Sequence, residues 1–69
     1  MYIHPSITRA RVIQAAERYN VMADMPGFCT ACGADTDGCE PNDERLVCET
    51  CGETAVYAAP LLLMIAMPD

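Results

Sequence analysis

The chain has 69 residues, four basic side chains against ten acidic ones and a formal net charge of −6. So short a chain buries too little apolar surface to outweigh its conformational entropy comfortably without a staple. Its acidity also disfavours nucleic acid, because affinity for phosphate backbones rests on Lys and Arg.

Residues 1–22 carry Arg9, Arg11 and Arg18 against Glu17, whereas residues 23–69 carry nine acids against Arg45. The first stretch, MYIHPSITRARVIQ, has His4 and Pro5 where an apolar signal core would stand, so a reducing cytoplasmic setting is expected. Residues 6–23 form the predicted amino-terminal helix, with Ser6 as its cap and Pro26-Gly27 beyond its end. Val12, Ala15, Ala16, Tyr19, Met22 and Ala23 follow helical spacing and build one apolar stripe. Arg11 and Arg18 share one edge of that stripe, and Arg9 falls near the other.

Residues 27–58 break into short extended pieces separated by Gly, Pro, Asn and Asp. Strands are expected near 36–40, 45–48 and 54–58, with EPNDE as the turn between the first two. Residues 59–67 form an apolar carboxy-terminal segment, predicted as a helix of about two turns with Pro60 at its first position, where a missing N–H costs nothing. Pro68 would stop it, although the same letters also suit a buried strand. The longest apolar run, residues 55–67, contains Pro60 and falls short of the roughly 20 residues a membrane span needs, so no membrane association is expected.

The cysteines carry the strongest pattern. Cys29 and Cys32, in CTACG, are matched by Cys48 and Cys51, in CETCG, with fifteen residues between the pairs. In a C-x2-C-G turn two sulfurs converge on one ion while backbone N–H groups temper their charge, and the glycine takes a positive φ. Two such turns complete a four-sulfur tetrahedral site with no position left for water or substrate, hence a structural metal. The spacing points to one Zn2+ held by Cys29, Cys32, Cys48 and Cys51, with iron the lesser choice. Thiol exchange is disfavoured, because neither pair opens a helix that would lower a thiol pKa. Cys39 is an extra sulfur read as a small residue on a hairpin strand outside the metal set. His4 is read as an exposed residue before the helix.

Together, GFCTACG, DGCEPND, CETCG, AVY and LLLM resemble the zinc ribbons, and within them small bacterial and phage-encoded proteins, over roughly residues 27–64. The resemblance implies a three-stranded antiparallel sheet carrying two knuckles. The expected whole is a single domain over residues 1–69, a small zinc-stapled α+β fold with helices at both ends. Zinc ribbons serve many functions, so the class says little of this one.

No Ser/His/Asp group, phosphate loop or open metal site is present, and an enzyme is not expected. Acidity, a closed metal site and the apolar carboxy end suggest a protein-interaction module, docking a protein partner or a second copy through residues 59–67. A sharper form has a phage-borne acidic protein occupying the basic groove of a host nucleic-acid machine, although the same acids serve simple solubility. The alternative is a nucleic-acid-binding ribbon of regulatory type that uses Arg9, Arg11 and Arg18 on phosphates.

Overall fold

The computed structural model describes residues 1–22 and 24–66. Helix α1 spans Arg9–Met22, followed by strands β1 (Gly27–Cys29), β2 (Asp35–Thr36), β3 (Leu46–Val47) and β4 (Thr54–Ala58) and by helix α2 (Ala59–Ile65). The strands form one antiparallel sheet in the order β2-β1-β4-β3.

The expected three strands are therefore four. The 54–58 strand is found as predicted, but 45–48 shrinks to Leu46–Val47 and 36–40 to Asp35–Thr36. Gly38 lies just beyond β2 with φ +82, left-handed backbone that turns the chain out of the ladder. The missed strand, β1, is the run into the first cysteine pair. The predicted turn in EPNDE forms: the Asp43 N–H donates to the Glu40 carbonyl, and the Glu40 N–H donates to an Asp43 carboxylate oxygen.

Helix α1 begins later than expected. Ser6 is not its cap; the Arg11 N–H donates to Thr8 Oγ1 at 3.2 Å, so Thr8 caps the first turn. Residues 4–7 form a separate turn closed by the Ile7 N–H on the His4 carbonyl. The stripe is also narrower than its spacing suggested: Val12, Ala15 and Ala16 are buried, while Met22 is exposed. Ala23 and Pro68 lie outside the described residues.

Helix α2 is a helix, not a buried strand. Pro60 stands in its first turn, and the Ala66 N–H closes its last turn on Leu62. Leu62 is fully buried, whereas Met64 and Ile65 face outward.

Period-two alternation divides the core between the two faces of the sheet. On one face, Phe28 and its register partner Tyr57 meet the helices, in a cluster with Ile7, Val12, Ala15 and Leu62. On the other, Cys29 pairs in register with Val56 and Gly27 with Ala58, and these residues cluster with Cys39 and Cys48. The helices thus cover one side of the sheet, and sulfur chemistry occupies the other.

Candidate metal centre

The two cysteine segments fold into the same kind of turn, with two matching backbone hydrogen bonds. In the first, the Cys29 N–H donates to the Ala34 carbonyl and the Gly33 N–H to the Cys29 carbonyl, both at 2.8 Å. In the second, the Cys48 N–H donates to the Glu53 carbonyl and the Gly52 N–H to the Cys48 carbonyl, again at 2.8 Å. The closing glycines take φ +83 at Gly33 and +80 at Gly52, a conformation that costs other L-residues strain.

Antiparallel pairing supplies the rest. Strand β1 leads into the first turn, β3 leads into the second, and β4 lies between them, so the four sulfurs meet. The Sγ atoms of Cys29, Cys32, Cys48 and Cys51 all lie within 4.8 Å of one another. Cys29 and Cys51 approach to 3.6 Å, and Cys32 and Cys48 to 3.7 Å. A tetrahedral four-sulfur site with metal–sulfur bonds of about 2.3 Å places its sulfurs about 3.8 Å apart. The four cysteines are therefore positioned to bind one ion, as their spacing predicted, in a set that matches a structural metal.

Electrostatics agrees. The Cys48 thiol is lowered to about 6, chiefly by the Cys51 N–H and, against desolvation, by the Thr50 N–H as well. Its neighbour Cys51 is pushed up to about 12: the Glu53 N–H draws it down, but desolvation and hydrogen bonds with the other three sulfurs outweigh that pull. Cys32 rises too, the Ala34 N–H being outweighed by desolvation and by sulfur contacts with Cys29 and Cys48. Sulfurs this close resist ionising together unless a cation lies among them.

The turns differ in their surroundings. The first is gripped by the amino-terminal arm: the His4 N–H donates to the Thr30 carbonyl at 2.9 Å. His4 Nδ1 accepts the Ser6 N–H at 3.1 Å, which leaves the ring proton on Nε2 and makes the Ser6 hydroxyl the donor in their 2.9 Å contact. Arg11 stands over the Phe28 ring at 4.9 Å, donates to the Ser6 carbonyl at 2.8 Å and reaches the Gly33 carbonyl at 3.5 Å. The second turn has no such collar: a methyl on Gly52 would meet nothing within 4 Å, whereas one on Gly33 would run into Ser6 and His4. Cys51 is correspondingly exposed and Cys29 buried.

Two expectations need correcting. His4, read as an exposed residue, is half-buried and supports the first turn. Cys39 lies outside the four-sulfur set as expected, but on no strand; it is buried in the loop after β2, its N–H donating to the Met25 carbonyl. Its sulfur lies so close over Gly27 that a side chain there would collide with it. Burial, then Asp43 and Asp37, push the Cys39 thiol up. No feature of the sequence alone ties His4, Ser6 and Arg11 to Gly33, since the contact joins segments 22 to 29 residues apart.

No helix among the described residues is long and apolar enough to cross a membrane. Comparison with known proteins finds no family model, no curated protein and no solved structure that matches the chain. The likeness to zinc ribbons is thus carried by the paired turns, the antiparallel sheet and the four converging sulfurs.

Proposed function

We propose that the chain is a zinc-stapled, non-enzymatic protein-interaction module. The observation that carries this reading is the closed four-sulfur set on a strongly acidic scaffold. Four thiolates around zinc leave no open coordination position for a reaction, so the ion's role is to hold the sheet together. The charge distribution favours a protein partner over a phosphate backbone. Zinc is favoured over iron by the C-x2-C-x15-C-x2-C pattern, and the partner would be a cytoplasmic protein complex with a basic surface. A phage or mobile-element role in blocking such a complex is the sharper form, resting on the resemblance of GFCTACG and CETCG to small phage-encoded ribbons.

Nucleic-acid binding through Arg9, Arg11 and Arg18 is less well supported. Arg11 is already spent on Phe28, Ser6 and Gly33, and Arg18 shares a shallow depression with Asp35.

The test has two arms. Elemental analysis of the purified protein is expected to give one zinc per chain, and a chelator strong enough to remove it is expected to abolish the fold in circular dichroism. Iron, or a fold indifferent to chelation, would overturn the zinc staple. Affinity capture from the native host is expected to retain protein; retention of nuclease-sensitive nucleic acid alone would favour the second reading.

A further inference from the structure

The sheet is open at both ends, and its two outer strands border one groove. Strands β2 and β3 have no outer strand neighbour among the described residues. Between them, on the face that carries the sulfurs, lies a groove of about 290 Å³. Its floor is Val56 and Cys39, and its wall is Leu46, which pairs in register with Val56, together with Val47. Those wall residues are apolar and exposed, Val47 at 64%.

The charged residues on the groove's lining have one sign. Asp37 and Glu49 stand on its lining, no Lys, Arg or His does, and Cys48 of the four-sulfur set is also part of it. Four thiolates on a divalent ion would add two further negative charges there. Asp35 touches the same groove, but by register it shares the Phe28 face, where it borders Arg11 and Arg18. An exposed apolar edge that was merely waiting to aggregate would ordinarily be protected by charge or by a covering loop. Here the two edge residues stay apolar, exposed Arg45 stands just before them, and the charged residues on the groove's lining are acidic.

We propose that this groove binds an extended segment of a partner protein, basic at alternate positions and apolar between them, laid across the sulfur face between β2 and β3. The apolar side chains would enter over Val56, and the lysines or arginines, which alternation turns away from the floor, would reach back over the rim to Asp37 and Glu49. Charge complementarity is what selects this occupant: phosphate would be repelled, and of this chain's own arginines Arg9 and Arg11 are held in the first turn of α1 while Arg45 follows directly on Asp43 and Glu44, so its segment is not basic at alternate positions. The proposal rests on the interaction-module reading and moves its surface from α2 to the sulfur face of the sheet.

The experiment titrates the zinc-loaded full chain with an acetylated Val/Lys alternating hexapeptide at low salt, observing backbone amides by NMR. Shifts are expected at residues 35–39 and 46–49 and not on α1 or α2. The Asp37→Asn, Glu49→Gln double variant, checked for zinc content, is expected to weaken binding about tenfold, and added salt should do the same. A hexapeptide with glutamate in place of lysine should not bind. Absence of shifts at low salt, shifts that map elsewhere, or indifference to the double variant would each overturn the groove proposal. The broader reading fails separately, if host capture retains no protein; if capture retains a protein whose binding is lost in a Met64→Asp, Ile65→Asp variant, the module stands and the groove proposal falls.

Discussion

Gly33 and Gly52 occupy equivalent places in sequence and in backbone, yet their substitution is expected to differ. Each alanine variant bears the left-handed strain, about 1–2 kcal/mol. Only Gly33→Ala also drives a methyl into Ser6 and His4, so it should displace the amino-terminal arm and lose clearly more stability than Gly52→Ala in denaturant titrations of the metal-loaded proteins. Equal losses would mean that the arm contributes little. Proton competition is a second residue-scale test. Cys51 holds its proton up to about 12, so metal binding must expel it, and affinity should rise with pH. A titration with buffers of different ionisation enthalpy from pH 6 to 9 should show net proton release and weaker binding at the acid end; a pH-independent affinity would argue against thiolate ligation. Cys39 offers the contrast. Buried and pushed up by its surroundings, it should react with iodoacetamide slowly at neutral pH and faster as pH climbs past the ordinary thiol range, and Cys39→Ser should keep its metal.

At the scale of elements, what could be read from the sequence was whatever depends on local chemistry. The C-x2-C-G repeats announced both turns, and T-A-V-Y-A announced β4 as a short extended piece set off by the second cysteine turn. Pro60 placed the start of α2 for a reason internal to the segment, its missing N–H. Strand β1 escaped notice because GFC is buried on both faces and so shows no alternation. The start of α1 was misplaced because Ser6 and Thr8 are both competent caps; the choice was made by His4, whose ring takes the Ser6 N–H. The helices are joined chiefly by Leu62, fully buried against α1 and the sheet. Leu62→Ala should cost about 2–5 kcal/mol, and in so small a chain the loss should be visible as unfolding near ambient temperature even with metal bound. A variant that melts like the parent would show that the helix layer is dispensable.

Taken as a whole, the molecule is a sheet with an oily side closed by helices and a sulfur side whose four cysteines are positioned to be closed by a metal. Composition foretold the need for the second device, since 69 residues could not supply two hydrophobic cores. The location of the four-sulfur set was legible because its ligands are named by spacing. The collar of His4, Ser6 and Arg11 was not, because it is a product of how α1 and the arm before it pack back onto the first cysteine turn. The same collar redirects Arg11, which sequence alone offered as a phosphate contact, to an internal role.

The unequal dress of the two turns also implies an order of events in time. Cys29 lies at the buried, braced end of the cluster, and Cys51 at the bare end. An incoming chelator, acceptor protein or oxidant would therefore meet Cys51 first, and a bound ion would pass through a stage in which the braced pair still grips it. Exchange of the metal should proceed by peeling from one side, with the amino-terminal half of the clamp the last to let go.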